Sequence, residues 1–351
     1  MFTIGGGTLQ ILKNAIQTRR GPLVLLFYDG LEVVARPGLS GALFSQGRRV
    51  ARYLYRNLRR AQVWTGFYAA FRLLRLSLLR SGCDVRVNDF ALALRNPSYP
   101  IGMSGYPSVL ERVSLPNPII FGPGDYGLPD RARFVAEDLR FCKLIQPSEW
   151  AVEFYRPSCG DKMIAMPVGI DTDRWYDSAQ TRKDIDVLVY DKIRWHRERE
   201  VPRVLERVTQ HLRRKGRSFE VLRYGEHHHA RFARLMRRSR AMLFLCEHET
   251  QGIACNETMS SNVPVLAWDE GVLVDPMFRK FAPPDFRVTS VPYFDAHCGE
   301  RFTMDNFETT FARFWSSLDS YRPREYVLEN LSLEKSARIY LAAYASLMPD
   351  R

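Results

Sequence analysis

Residues 241–271, AMLFLCEHETQGIACNETMSSNVPVLAWDEG, decide the fold. The apolar run at residues 241–246 predicts a buried strand, and the run at residues 263–268 predicts a second one. Between the two runs lie a polar turn with one glycine and a helix over about residues 254–261. A strand, turn, helix and strand in so short a segment predict a compact parallel crossover.

Two carboxylates stand at defined places in this segment. Glu249 lies in the turn that follows the first strand, and Glu257 lies on the helix. Both therefore can face one cleft at the carboxyl end of a parallel sheet, where open α/β folds bind ligands. Taken alone, two glutamates at this spacing are usually solvated or cap a helix. The strands, glycine turn and helix in register favour a functional interpretation.

Length and composition limit the kinds of protein to which this cleft can belong. The chain has 351 residues, more than one hydrophobic core usually serves, so we expect two domains. Its content of 46% hydrophobic and 26% charged residues is typical of a globular protein. The net charge of +12 predicts attraction to an anion: nucleic acid, an acidic membrane surface or a phosphorylated substrate. Charge alone does not choose among these.

Cysteine spacing and the amino terminus indicate the compartment. The six cysteines are dispersed without a C-x-x-C pair, which argues against a zinc ribbon and favours reduced thiols in the cytosol. The sequence contains no run of eighteen apolar residues, and residues 1–20 lack the form of a signal peptide. We therefore expect a cytoplasmic protein, whose contact with a membrane, if any, is peripheral and at its inner face.

The first half of the chain reads as strands alternating with helices. Residues 22–28 predict a central strand buried on both faces, and a helix opens at Gly66 after a long insertion. Two further strands end in glycine-rich turns, which allow a backbone to approach a ligand closely. Asp125 lies at the tip of the second turn. It either orients an acceptor hydroxyl or simply forms the turn, a common role for Asp beside glycine.

Residues 48–80 form a basic, aromatic-rich stretch. They include nine arginines and no Asp or Glu, interleaved with aromatic and leucine residues. This pattern is compatible with a helix packed on the sheet with a solvated basic edge. It is also compatible with a helix on an anionic leaflet, where arginines reach the headgroups and rings lie at the interface. Binding of a phosphate is a third interpretation.

The second half opens with another apolar strand, followed by a basic loop that contains Lys192 and Arg194. Cations at the carboxyl end of a first strand are well placed to bind a diphosphate. Asp171 and Asp173 have the D-x-D spacing of some metal sites, but the surrounding proline, glycine and polar residues favour a linker. The adjacent histidines 227–229 do not share a helix face, so we interpret them as a solvated turn.

The opening segment resembles the large retaining glycosyltransferase family of GT-B fold that uses nucleotide-sugar donors. In that family a strand precedes E-G-F-G-x-x-x-x-E-A-x-x-x-G-x-P-V, and the residues that match here are Glu249, Gly252, Glu257, Pro264 and Val265. Residues 167–171, PVGID, resemble the P-N-G-V-D before the interdomain hinge. The chain departs from the pattern at Thr250-Gln251 for Gly-Phe, at Val168 for Asn and at Asn262 for Gly.

The resemblance implies an α/β protein of GT-B fold, with two Rossmann-like domains whose parallel sheets face a central cleft. It places an acceptor-side domain at residues 1–170 and a nucleotide-sugar domain at 171–325. Residues 326–351 would form a helix that crosses back to the first domain, and the local sequence places a cap signal at Leu331-Ser332. The implied donor is a UDP- or GDP-sugar, used as a substrate without a separate cofactor or metal, and the implied acceptor is a glycan or a lipid-linked molecule.

The resemblance also implies roles for individual residues. Glu249 would bind the sugar and stabilise its oxocarbenium-like centre, and Glu257 would bind the ribose hydroxyls. The acceptor would attack from the side of the leaving group, and a phosphate oxygen would take its proton. Asp125 is a further catalytic candidate, on the acceptor side, because of its position at the turn; the histidine that often follows a strand of the first domain in that family is absent at Gly124. Donor binding would use Lys192, Arg194, Thr250, Gln251, Gly252 and Ile253, with the helix start contributing backbone N–H groups to the diphosphate.

Two alternatives remain open at this point. One is a sugar-nucleotide epimerase or hydrolase on the same fold. The other is a non-enzymatic basic protein that binds a membrane or nucleic acid. The sequence has no recognisable nucleic-acid motif, and the large aliphatic residues among the arginines suit a lipid interface better. We therefore expect no nucleic acid as a partner and a possible anionic membrane surface at residues 48–80.

Overall fold

The structure is a computed structural model that describes residues 21–59 and 63–348. The amino-terminal residues that argued against a signal peptide lie outside this part. The described residues form two parallel β-sheets, of six and five strands, each flanked by helices. No helix among them combines the length and the apolar character needed to cross a bilayer. The α/β architecture with two separate parallel sheets is as predicted.

The first sheet has the order β2-β1-β3-β4-β5-β6. Its strands are β1 Leu23–Asp29, β2 Asp84–Val87, β3 Ile101–Gly105, β4 Ile119–Gly124, β5 Phe141–Gln146 and β6 Met163–Ala165. The central strand β1 is buried on both faces over residues 24–28, as its unbroken apolar run predicts. The helices of this half are α1 Gly38–Leu58, α2 Gly66–Arg80, α3 Phe90–Arg95, α4 Val109–Arg112, α5 Pro129–Glu137 and α6 Glu149–Cys159.

The second sheet has the order β11-β10-β9-β7-β8. Its strands are β7 Ile185–Asp191, β8 Phe219–Arg223, β9 Ser239–Leu245, β10 Val265–Trp268 and β11 Gly299–Phe302. Its helices are α7 Arg197–Glu200, α8 Arg207–Arg214, α9 His229–Arg238, α10 Ile253–Ser260, α11 Pro276–Arg279, α12 Phe307–Ser316 and α13 Pro323–Asn330. A π-helical segment, Val201–Glu206, joins α7 to α8.

Both sheets have a switch point, where the chain changes from building one side of the sheet to building the other. The switch lies between β1 and β3 in the first sheet and between β7 and β9 in the second. Ligands of open parallel sheets bind outside the carboxyl ends of the strands at such points. The loops after these strands are therefore the ones to examine for function.

The closing helix α14, Leu333–Ala345, returns to the first sheet and packs on α2. The hydroxyl of Ser332 accepts a hydrogen bond from the Lys335 N–H and caps the helix, as predicted. Tyr344 accepts a hydrogen bond from the Leu25 N–H of the central strand. At Gly102 in β3 a Cβ atom would lie 1.8 Å from the Tyr340 hydroxyl, so only glycine admits this ring. Whether residues 1–170 and 171–325 are separate domains stays a prediction.

The basic stretch at residues 48–80 is not one continuous surface. Its second part is α2, which packs on the first sheet and on α14 and buries Tyr68, Phe71 and Leu74. Its first part belongs to α1, which begins ten residues earlier than the stretch, at Gly38, and buries only Gly41. The packed-helix interpretation therefore holds for α2, while α1 needs its own explanation.

Candidate functional site

A large cleft, with a volume of about 1440 Å³, runs between the two sheets. Loops after the carboxyl ends of strands line both of its walls, including Asp125 after β4, Lys192 after β7 and Glu249 after β9. Pockets for one small ligand are usually about 300–1000 Å³. The cleft is thus larger than a usual pocket for one small ligand.

The turn between β9 and α10 gives the second-half wall its shape. Gly252 precedes the helix with φ of +74°, a left-handed conformation that favours glycine. The first N–H groups of α10 have no acceptor within the helix and point toward the turn. Just after the other end of α10, Asn262 has φ of +61°. Because Asn tolerates this left-handed conformation, it can replace the Gly found at this position in the family that the chain resembles.

Glu249 lies in a charged cluster at the switch point of the second sheet. Its side chain is almost buried, with Oε1 2.5 Å from Lys192 Nζ and 3.5 Å from an Arg194 Nη atom. Burial would raise the pKa of the Glu249 carboxyl, but Lys192 and Arg194 outweigh this effect and lower it. The site therefore holds the Glu249 carboxylate and two cations, and Glu247 lies beside them, where its carboxyl accepts from the Arg194 and Trp195 N–H groups.

Glu257 has a different environment on the same wall. Its carboxyl is also nearly buried, and burial raises its pKa to about 8 against the lowering effects of Arg174 and of a hydrogen bond from Trp175. Nε2 of His229 lies 3.6 Å from Glu257 Oε1. At neutral pH this carboxyl keeps its proton, so it is able to donate as well as accept a hydrogen bond.

Gln251 connects the turn between β9 and α10 to residues 167–171, the segment that links the two halves. Its amide oxygen accepts from the Val168 N–H at 3.0 Å, and its amide nitrogen donates to the Val168 carbonyl at 2.7 Å. Gln251 and Val168, two of the positions that depart from the pattern of the family that this chain resembles, thus contact each other. Trp150 adds a second tie, because its Nε1 donates to the Glu249 carbonyl at 2.9 Å. Both side-chain groups of Gln251 are occupied, and its backbone carbonyl accepts from the Asn256 side-chain amide at 3.3 Å.

Several further predictions acquire a structural setting. Asp125 lines the cleft, and its Oδ1 accepts from the Gly127 N–H at 2.8 Å, the bond expected of an Asp that forms a turn. Asp171 and Asp173 both pair with Arg80 of α2, so the D-x-D carboxylates join the two halves. No group of three or more His, Cys, Asp or Glu side chains among the described residues is arranged to hold a metal ion.

The interpretation of residues 227–229 as a solvated turn is wrong for the first of these histidines. His227 is buried, and its Nδ1 lies 2.7 Å from the Arg223 carbonyl oxygen. His229 begins α9 and reaches Glu257. No local pattern indicates this pair, because 28 positions separate two residues that meet only when α9 and α10 pack on the same sheet.

The first-half wall consists mainly of rings and arginines. Trp64 packs on Tyr68 with ring centroids 5.0 Å apart, and the Arg72 guanidinium lies 5.9 Å from the Trp64 ring. Arg49 and Tyr53 of α1 also line this side. The wall therefore offers apolar and cationic contacts but no counterpart of the Glu249 cluster.

Comparison with known proteins locates the fold. No family model matches the sequence, and no curated protein matches it. Sucrose-phosphate synthase from Thermosynechococcus elongatus aligns with a TM-score of 0.55 at 12% identity, over 93% of this chain and 99% of that one. AviGT4, a glycosyltransferase involved in avilamycin A biosynthesis, gives 0.52 at 13% identity, over 93% and 98%.

A glycosyltransferase from Rickettsia africae ESF-5 gives a TM-score of 0.51 at 12% identity, over 94% of this chain and all of that one. These three alignments extend over almost the whole chain and include both parallel sheets. At these sequence identities the alignments show the fold but not the reaction. The chain has the GT-B fold of glycosyltransferases.

Proposed function

We propose that this protein is a glycosyltransferase that moves a sugar from a nucleotide-sugar donor to an acceptor. The observation that carries the proposal is the Glu249–Lys192–Arg194 cluster beside the start of α10, at the switch point of the second sheet. The glycosyltransferases that share the fold support it. We expect a UDP- or GDP-sugar as the donor and a glycan or lipid-linked acceptor.

The second-half wall would hold the donor. Lys192 and Arg194 bind the diphosphate together with N–H groups of the turn formed by Thr250, Gln251, Gly252 and Ile253, because charge on the leaving group grows as the glycosidic bond breaks. Arg197 is not available for this role, since its guanidinium is held by both oxygens of the buried Asp191. Glu257 binds the ribose hydroxyls, for which a carboxyl that donates and accepts is suited.

The sugar would lie between this wall and the first half. Glu249 is released from Lys192 when the diphosphate takes the ammonium, and its carboxylate then binds sugar hydroxyls and stabilises the oxocarbenium-like centre. The acceptor attacks from the side of the leaving group, and a phosphate oxygen takes the acceptor proton. This route gives retention of configuration and requires no metal. We expect Asp125, which lines the cleft after β4, to act on the acceptor side.

The test is a transfer assay with labelled UDP- and GDP-sugars, glycan or lipid extracts as acceptors, and a chelator present. We expect transfer to continue in the chelator, and NMR of the product to show the anomeric configuration of the donor. An inverted product would contradict retention, and loss of activity in the chelator would contradict metal independence. If donors yield only free sugar or an epimer, the hydrolase or epimerase alternative is correct.

A further inference from the structure

Helix α1 turns apolar side chains toward solvent, whereas a surface helix of a soluble protein buries them. Five apolar residues that recur at intervals of four or seven form one stripe along it, and we call them the outer stripe: Leu39, Leu43, Val50, Leu54 and Leu58. Each is between 50% and 85% exposed. A surface helix normally turns its apolar stripe toward the core. No described residue covers this one.

The polar side of α1 holds the helix to the protein body. Arg52 Nε lies 3.7 Å from the buried carboxylate of Glu32, and Arg48 Nε donates to the Leu31 carbonyl at 3.1 Å. The hydroxyl of Ser45 donates to the Val34 carbonyl. The orientation of α1 is therefore fixed by specific bonds, and the outward direction of the outer stripe is a consequence of them.

The charge of α1 indicates what covers the outer stripe. The helix carries Arg48, Arg49, Arg52 and Arg56, Arg59 follows directly, and neither Lys, Asp nor Glu occurs in it. A helix with an exposed apolar stripe and exposed cationic side chains suits a lipid surface, where the stripe enters the acyl boundary and the exposed Arg48 and Arg59 meet anionic headgroups. A protein partner would need a complementary acidic groove, whereas a bilayer with anionic lipids supplies both features at once.

We propose that the outer stripe of α1 docks the protein on an anionic bilayer surface. The interpretation of residues 48–80 as a membrane contact is thereby restricted to α1, since α2 is packed against the sheet and α14. Arg49 and Tyr53 on the other side of α1 line the cleft. Docking therefore brings the first-half wall close to the lipid headgroups. The inference concerns binding alone and does not depend on the proposed reaction.

The test is sedimentation of the full chain with vesicles of phosphatidylcholine alone or mixed with phosphatidylglycerol. We expect binding only to the mixed vesicles, with affinity that falls as salt is added. The double variant Leu43→Glu/Leu54→Glu should bind at least about tenfold more weakly, because it places two charges in the stripe. Leu139→Glu is the matched control, since Leu139 is 89% exposed on a loop outside α1, and it should bind as the unmodified chain does.

Three results would overturn the proposal. The first is equal sedimentation with both kinds of vesicle or with neither. The second is unchanged binding by the double variant while its thermal unfolding shows that it is folded, which would fit a stripe covered by residues 1–20. The third is a dimer of the unmodified chain in light scattering without lipid that the double variant dissociates, which would make a second copy the partner.

Discussion

The two walls of the cleft are built on nearly equivalent scaffolds but carry different chemistry. Each is a parallel sheet with a switch point beside its first strand. After β7 the chain enters the short basic loop of Lys192 and Arg194 at once, whereas after β1 it makes a long excursion through α1 before α2 begins. One loop gives a compact ionic site, and the other gives a wall of rings and an exposed helix. The shared scaffold fixes where ligands bind, and the loops decide which ligands.

The largest expected effect comes from Glu249→Gln on the second-half wall. Turnover should fall by about 10²–10³-fold, the usual loss when one group that stabilises a developing charge is removed. Affinity for the nucleoside diphosphate should be kept or increased, because Lys192 and Arg194 no longer share their charge with a carboxylate. Steady-state kinetics and calorimetry measure the two effects separately.

The exposed Glu153 on α6 provides the control. Glu153→Gln should change neither quantity. Near-normal turnover of the Glu249 variant would remove the ionic cluster from the mechanism and leave the contrast between the walls without a functional meaning.

The second prediction separates the two glutamates of the same wall by pH. The pKa of Glu257 is raised from 4.5 to about 8 in the folded protein. Between these values the folded chain keeps a proton that the unfolded chain loses, so the contribution of Glu257 to the free energy of unfolding falls as pH rises. Glu257→Gln should remove this fall. Between about pH 5 and 8 the free energy of unfolding of the variant should therefore rise relative to that of the unmodified chain, by up to about 4 kcal/mol.

Glu249 should behave in the opposite sense. Its pKa is lowered, so its contribution to stability is present above the ordinary carboxyl pKa and is lost on acidification. Urea unfolding at a series of pH values measures both slopes. A gain that does not depend on pH in the Glu257 variant would show that its carboxyl is ionised in the folded state.

The third prediction concerns the connection between the walls. Gln251→Leu leaves the N–H and carbonyl of Val168 without their partners, which should cost about 1–3 kcal/mol of unfolding free energy. The unfolding free energy of Gln251→Glu should lie between those of the unmodified chain and of Gln251→Leu, because its carboxylate accepts from the N–H but does not donate to the carbonyl. Chemical denaturation of the three proteins gives the order. Equal stabilities would mean that this contact does not join the halves in solution.

The smallest effect is expected on the first-half wall. Trp64→Ala removes a ring that packs between Tyr68 and Arg72 and should raise the KM for the acceptor by roughly fivefold, within the range measured for single aromatic contacts. Affinity for the donor should not change, since that site lies on the opposite wall. An equal loss of donor affinity would show that the two walls do not have separate substrates.

Local patterns predicted the strand–turn–helix–strand unit, the turn glycine and the capped closing helix, because each depends on residues close in sequence. The same reasoning missed α1, whose first ten residues, GLSGALFSQG, contain three glycines, and it missed β11, whose GERF resembles a polar loop. It also missed the contacts of Gln251 with Val168 and of His229 with Glu257. Those pairs are brought together by packing across the cleft or between helices, which a pattern along the chain does not encode.

The most direct test of the account is a thermal-shift titration of the full chain with UDP-, GDP-, ADP- and dTDP-sugars. A ligand that binds only the folded state raises the unfolding temperature by mass action. We expect a shift with at least one donor, and we expect Lys192→Met to remove most of it while Lys215→Met, at an exposed helix end, does not. The absence of a shift with every donor, or an equal shift in both variants, would contradict a donor site at the Glu249–Lys192–Arg194 cluster.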